Sequence, residues 1–180
     1  QIVVALQSII ARNANPQKSG VISVTRFLAG EAFNVIPDTA VLGGTVRTFD
    51  PKVQDLIEKR MGEIVTGIAA ALGGAAELVY RRGYPVTVNN SEKAEVAASI
   101  ATGIVGEGMV DRDLDPVMGA EDFSYMLNEK PGCYIWLGQR GEGSGEGSLH
   151  HPKYNFNDDA LPIGASYFAS LVEERMTTSA

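Results

Sequence analysis

The chain has 180 residues, a hydrophobic content of 44% and a net charge of −7, and this composition is typical of a globular protein with a packed core. The acidic balance argues against nucleic acid as a partner, because phosphate contacts need a basic surface. No apolar run reaches transmembrane length, and no basic segment precedes the apolar N-terminal residues as it would in a signal peptide. The single cysteine, Cys133, excludes an internal disulfide and favours a reducing compartment, so we expect a cytoplasmic protein without a membrane partner.

The first 88 residues carry the pattern of an α+β domain. Apolar side chains recur at helical spacing over residues 1–13, whereas residues 20–29 and 39–50 alternate apolar and polar side chains as strands do. A further strand is predicted over residues 76–85, after an intervening helix. The predicted order is therefore helix, strand, strand, helix, strand.

Capping residues mark the starts of helices in both halves of the chain. Asp50 can cap a helix that begins at Pro51, because proline needs no amide partner in the first turn. Asn90 or Ser91 can cap a helix that runs to about Gly106. The apolar face of the first of these helices is predicted to comprise Val53, Leu56, Ile57, Ile64, Ile68 and Leu72.

The rest of the chain alternates helices with short strands, as the closing half of an α/β domain does. Short strands are predicted near residues 116–118 and over residues 133–138, where Cys133 should be buried. A glycine-rich loop over residues 141–148 is predicted to be a flexible approach to the histidines. The last helix should run from residue 158 to about 176, before a frayed tail, and bury Ile163, Tyr167, Phe168 and Leu171.

Both histidines of the chain stand in residues 149–158, between a predicted strand and a predicted helix. Ligands often bind at such places in α/β proteins, and imidazole is the commonest metal ligand. Adjacent side chains of an extended segment point to opposite sides, so we do not expect His150 and His151 to hold one ion together. The alternative is that both are loop histidines that hydrogen-bond locally.

A second candidate segment, residues 118–126, places Gly119 before two acids, Glu121 and Asp122. Glycine permits a close backbone approach, and acids at the start of a helix are favoured by its dipole. One of the acids could therefore belong to a polar site. Alternatively, both could form the acidic first turn of an amphipathic helix, and spacing alone slightly favours that interpretation.

These segments resemble the M20 family of metallopeptidases, and most closely its amidohydrolases of N-acyl amino acids, such as hippurate hydrolase and the indole-acetyl-amino-acid hydrolases. The resemblance is carried by FNVIPD and GTVRTF in the first half of the chain, then by MGAEDF, YIWLG and LHHPKYNFND. These matches follow the order and spacing of the family. The resemblance extends over essentially the whole chain.

The resemblance implies an α/β protein in two parts. Residues 1–88 would form a ferredoxin-like βαββαβ lid, or dimerisation domain, that lacks its first strand. Residues 89–180 would form the C-terminal part of the metal-dependent α/β catalytic domain. The N-terminal segment of the family has no counterpart in this sequence, so we expect the chain to be the C-terminal portion of a longer polypeptide.

The resemblance also implies the roles of four residues. The histidine of the family's Leu-His-x-Pro motif binds one of two divalent metal ions (Zn, Mn or Ni), and this position aligns with His150. Glu121 would orient ligands or substrate without being the general base. Asn34 and Arg47 would bind the substrate. The alternatives are a turn asparagine bonded to its own backbone and a strand arginine paired with a surface acid.

The implied activity is metal-dependent hydrolysis of the amide bond of N-acyl amino acids by a homodimer that associates through the lid. This chain alone is expected to be inactive, because it carries one plausible metal ligand. The alternative function is a catalytically inactive binding or dimerisation module derived from the same family. The presence of His150 and Glu121 within complete motifs favours the hydrolase.

Overall fold

The computed structural model describes residues 1–141 and 147–176, so most of the predicted flexible loop and the predicted frayed tail lie outside the described residues. The chain divides into two compact units. The first unit comprises Gln1–Val86 and Val117–Ala120, and the second comprises Thr87–Pro116 and Glu121–Ala180. The mixed α/β architecture confirms the predicted fold class.

The first unit begins with helices and an antiparallel hairpin in the predicted order. Helix α1 (Ile2–Ser8) continues into a π-helical turn (Ile9–Asn13), and strands β1 (Gly20–Ala29) and β2 (Ala40–Thr48) precede helix α2 (Pro51–Ala71). The predicted cap of α2 is confirmed, because a carboxylate oxygen of its N-cap aspartate accepts a hydrogen bond of 2.8 Å from the backbone N–H two residues later. Local sequence signals therefore suffice for this part of the fold.

The hairpin pairs β1 with β2, with Gly20 opposite Thr48 at one end, and its register shifts between Val24 and Arg26. A bulge bends its strand and increases the local twist, and a strand glycine often marks a bulge or a close approach of another backbone. A Cβ atom added to Gly44 would lie 2.0 Å from the carbonyl oxygen of Ser23. Glycine is therefore required at this position of β2, where the partner backbone occupies the space of a side chain.

The core of the first unit packs α1, the π-helical turn and α2 against the hairpin. Ile9 and Ile57 are fully buried at its centre. The predicted apolar face of α2 is wrong at Leu72, which is 72% exposed, because the helix ends at Ala71 and the next side chain leaves the face. The buried cluster comprises Leu6, Ile9, Ile22, Val53, Ile57 and Val65.

The predicted strand over residues 76–85 is absent from the structure. A strand exists only where a neighbouring backbone completes its hydrogen bonds, and no backbone among the described residues does so here. The segment is attached to α2 instead, because the Arg82 guanidinium lies 2.7 Å from Asp55 and 2.5 Å from Glu58. These ion pairs are exposed to solvent, so they contribute little to stability.

The second unit contains α3 (Ser91–Val105), a 3-10 turn (Glu107–Met109), α4 (Phe123–Glu129) and α5 (Ala160–Arg175). Helix α3 packs against α5. The predicted cap of α3 is confirmed, because the Asn90 side chain accepts a hydrogen bond of 3.2 Å from the N–H of the third helical residue. No helix of residues 1–141 and 147–176 is both long enough and apolar enough to cross a membrane.

Several predictions for the later part of the chain are wrong. Residues 116–118 and 133–138 form no strand, because no neighbouring strand of the described chain pairs with them. Phe168 of α5 is 67% exposed instead of buried, and the ring contact described for it is with its neighbour Tyr167 on the same helix. Cys133 is half-buried, and this burial raises the pKa of its thiol.

Candidate functional site

Glu121 is half-buried just before α4, and its backbone is held firmly. Its carbonyl oxygen accepts hydrogen bonds from the N–H of Ser124 at 3.2 Å and from the Ser124 hydroxyl at 2.6 Å. Ser124 is fully buried. Helix α4 begins only at Phe123, and the Asp122 side chain makes no capping bond, so the two acids do not form the acidic first turn that the sequence left open.

The Tyr134 hydroxyl lies beside the Glu121 carboxylate, and this carboxylate perturbs its pKa. Partial burial raises the pKa of Tyr134, and the charges of Glu121 and Asp122 raise it further. The phenol therefore stays protonated at neutral pH, and its O–H can serve as a hydrogen-bond donor toward the carboxylate. The Tyr134 ring packs beside Phe123, with ring centroids 5.7 Å apart and an angle of 42° between the planes.

Tyr134 is a site residue that the sequence did not single out. It lies in the YIWLG segment that carries part of the family resemblance, but nothing in that segment indicates which side chain meets Glu121. The proximity of this tyrosine to the acidic pair is the only feature that would identify it as a site residue. That proximity becomes apparent only once the fold brings the two segments together. The structure thus adds a phenol to the candidate site.

The two histidines occupy different environments in the loop before α5. His150 is exposed and has φ = 68°, and it is the one non-glycine residue of the described chain with a positive φ. This conformation costs roughly 1–2 kcal/mol for an L-residue, and backbone strain of this kind is concentrated at functional sites. His151 is engaged locally, because its Nδ1 atom accepts a hydrogen bond of 3.1 Å from the N–H of Lys153.

The described residues do not form a complete metal centre. Within residues 1–141 and 147–176, no group of three or more His, Cys, Asp or Glu side chains lies close enough together to hold an ion. In the second unit, no hydrogen bond joins Glu121 to His150. A metal pair would therefore need ligands beyond the one predicted at His150.

Asn34 and Arg47 lie in the first unit. Asn34 is exposed in the loop between β1 and β2, and no described hydrogen bond joins it to Arg47. The Arg47 guanidinium donates from Nη1 to the carbonyl oxygen of Met118 at 3.0 Å, so its partner is a backbone carbonyl instead of the surface acid of the alternative interpretation. This bond uses one of its five N–H donors and ties β2 to the start of the MGAEDF segment.

These observations define a mixed α/β protein whose second unit contains a carboxylate beside a tyrosine hydroxyl and a strained loop histidine. The chain belongs to peptidase family M20/M25/M40, whose family model matches residues 5–174. That match extends over both units and includes every candidate site residue.

Named relatives and a solved structure agree with this membership. Hippurate hydrolase of Campylobacter jejuni is 38% identical over 94% of this chain, and the IAA-amino acid hydrolase ILR1-like 2 of Arabidopsis thaliana is 36% identical over 99% of it. The chain spans 43% and 41% of these two relatives. The crystal structure of Bacillus subtilis YXEP, a dinuclear metal-binding peptidase of the M20 family, superposes with a TM-score of 0.73 at 32% identity, covering 99% of this chain and 45% of YXEP.

Proposed function

We propose that the protein to which this chain belongs hydrolyses the amide bond of N-acyl amino acids with divalent metal ions. The observation that carries the proposal is the family membership over residues 5–174. The substrate class is supported by the names of the relatives, which specify hippurate and conjugates of amino acids. Because the chain spans less than half of these relatives, the proposal concerns the whole protein.

We propose His150 as a ligand of one metal ion, with residues 89–180 belonging to the catalytic domain. The strained φ of 68° supports this role, and the local hydrogen bond of His151 supports the choice between the two histidines. Glu121 would orient a ligand or the substrate through its carboxylate, which lies beside the Tyr134 hydroxyl. The residues do not distinguish between Zn, Mn and Ni.

Residues 1–88 are proposed to act as a lid that also mediates homodimerisation. Side chains at the tip of the β1–β2 hairpin, including Phe33, Val35 and Ile36, are exposed and apolar, and such groups favour burial against a partner. Light scattering should give twice the monomer mass, and a monomer at micromolar concentration would contradict the dimer.

A cytoplasmic location is proposed because a free thiol such as Cys133 persists in a reducing compartment. Recovery of the protein from a membrane or secreted fraction of the cell would contradict the location.

The proposed activity is tested with hippurate and the metal-loaded protein at its full natural length. Glycine should be released, and removal of the metal by a chelator should lower the rate by more than about a hundredfold, since a metal ion supplies several kcal/mol of charge stabilisation. Readdition of Zn, Mn or Ni should restore the rate. Chelation should leave the melting temperature of the first unit, which contains the β1–β2 hairpin, little changed.

A binding module is the second candidate function, because the described residues supply one predicted metal ligand. Calorimetry with hippurate separates the two candidates. The measurement is repeated with each of the three metals and with N-benzoyl, N-indoleacetyl and N-acetyl amino acids. Binding without release of the amino acid in all of these experiments would favour the module and would contradict the hydrolase.

Asn34 and Arg47 are proposed to hold the carboxylate of the substrate, since an amide and a guanidinium are suitable donors. Arg47→Met should raise the KM for hippurate about tenfold or more, as the loss of a charged hydrogen bond of roughly 1.5–3 kcal/mol predicts. The uncharged amide of hippurate should be hydrolysed by the variant and the parent protein with the same KM.

The alternative for Arg47 is a purely structural role through its hydrogen bond to Met118. In that case the variant would lose kcat for the charged and the uncharged substrate alike. Arg26→Met, which removes another arginine from the same hairpin, serves as the matched control and should leave both KM values unchanged.

A further inference from the structure

Asn89 lies just before the cap of α3 and bonds twice to the backbone of one distant residue. Its Nδ2 atom donates to the carbonyl oxygen of Tyr134 at 2.9 Å, and its Oδ1 atom accepts from the N–H of Tyr134 at 2.8 Å. The next residue adds a backbone bond, from the N–H of Asn90 to the carbonyl oxygen of Gly132 at 3.0 Å. A side-chain amide thus supplies the donor and the acceptor that a neighbouring strand would provide.

The carboxamide is suited to this task because it carries a donor and an acceptor in one planar group. An aspartate could accept from the N–H of Tyr134 but could not donate to its carbonyl oxygen. A serine would be too short to meet both groups at once. Asn89 therefore holds the backbone at Tyr134 in one position without any strand at this place.

The segment that Asn89 holds also packs tightly onto α4. A Cβ atom added to Gly132 would lie 3.1 Å from Leu127 and 3.7 Å from Phe123. The Tyr134 ring packs beside Phe123, and its hydroxyl lies beside the carboxylate of Glu121. Tyr134 therefore stands between the Asn89 carboxamide, which holds its backbone, and the Glu121 carboxylate.

We propose that Asn89 is a positioning residue for Glu121, because it fixes Tyr134 so that the phenol holds the carboxylate in the orientation that hydrolysis requires. This inference rests on the proposed amidohydrolase function. Asn89 itself is exposed and makes no described hydrogen bond with Glu121 or with α4. Its influence on Glu121 therefore passes through Tyr134.

The test compares Asn89→Ala with Asn90→Ala in the whole protein. Both variants remove an asparagine side chain at the start of α3, but Asn90→Ala removes only the helix cap and keeps both bonds to Tyr134. The pKa of Tyr134 is measured by NMR of protein labelled at the tyrosine Cζ, and its signal is assigned with Tyr134→Phe. Kinetics with hippurate are measured in parallel.

In Asn89→Ala the pKa of Tyr134 should fall toward the ordinary tyrosine value, because the phenol is no longer held in its half-buried place beside Glu121 and Asp122. The kcat of this variant should fall by about 10- to 100-fold with KM little changed. This range is typical when a residue that orients the ligands of a metal site is replaced. Asn89→Asp, which retains one of the two bonds, should lie between. Asn90→Ala should lower the melting temperature and change neither the pKa nor kcat.

An unchanged pKa of Tyr134 in Asn89→Ala would overturn the proposal, and so would an equal shift in Asn90→Ala. A shifted pKa with unchanged kcat would also overturn it, since the positioning would then not serve the reaction. If the pKa follows Asn89 but the unaltered protein hydrolyses no N-acyl amino acid with any of the three metals, the proposed function is wrong and the link from Asn89 to Glu121 stands.

Discussion

Replacement of His150 by asparagine should lower kcat/KM for hippurate by more than about a hundredfold, beyond the 10- to 100-fold typical of residues that only support a ligand. The metal content, measured by inductively coupled plasma mass spectrometry, should fall from two ions toward one. Asparagine is the appropriate replacement because it tolerates the left-handed backbone that His150 adopts at φ = 68°. The loss can therefore be assigned to the imidazole and not to a changed loop.

His151→Asn is the matched control for this prediction. His151 lies in the same loop and accepts a hydrogen bond from the N–H of Lys153, which an asparagine oxygen can replace, as asparagine often does in turns. We expect its metal content to be unchanged and its kcat/KM to stay within about threefold of the parent value, equivalent to less than about 0.7 kcal/mol. Loss of activity and metal in His151→Asn, with an active His150→Asn, would reverse the assignment of the two histidines.

The parts of the fold that the sequence predicted are those with local causes. Asp50 and Pro51 mark the start of α2 without reference to any distant residue, and α2 then completes its own backbone hydrogen bonds. The alternation in residues 20–29 is matched by a second alternating segment nearby, so β1 and β2 pair across the loop over residues 30–39. Both signals depend on neighbours in the chain, and both were sufficient.

The three strands that were predicted wrongly depend on distant residues instead of on neighbours in the chain. Residues 76–85, 116–118 and 133–138 have the side-chain pattern of strands, but a strand requires a second backbone alongside it. The described chain supplies that backbone to none of them. A pattern of side chains indicates which face would be buried, and it carries no information about whether a partner strand is present.

The candidate site shows the same division. The family motifs indicated His150 and Glu121, because each motif is a short segment that can be recognised without the fold. Tyr134 and Asn89 were missed because their contact joins residues 45 positions apart, and an exposed asparagine before a helix is ordinarily interpreted as a cap or a turn residue. Contacts over such a separation become apparent only when the segments are seen together in space.

The largest expected effect on stability is at Ile57, which is fully buried in the core of the first unit. Its Cδ1 atom lies 3.5 Å from the position of a Cβ built on Gly20, so α2 meets the start of β1 through this side chain. Ile57→Ala should lower the free energy of unfolding by about 2–5 kcal/mol, because transfer energy is lost and a cavity remains. Urea unfolding of the whole protein, followed by circular dichroism, measures this change.

Two further variants turn the measurement into a series. Ile57→Val removes one methyl group and should cost about 0.5–1.5 kcal/mol. Val4→Ala alters a side chain of α1 that is 74% exposed, and it should change the free energy of unfolding by less than about 0.5 kcal/mol, since alanine is also the better helix former. If Ile57→Ala cost no more than Val4→Ala, the packing of α1 and α2 against the hairpin would not be the core that stabilises the first unit. A graded loss across the three variants would establish that core as the support on which β2 presents Arg47.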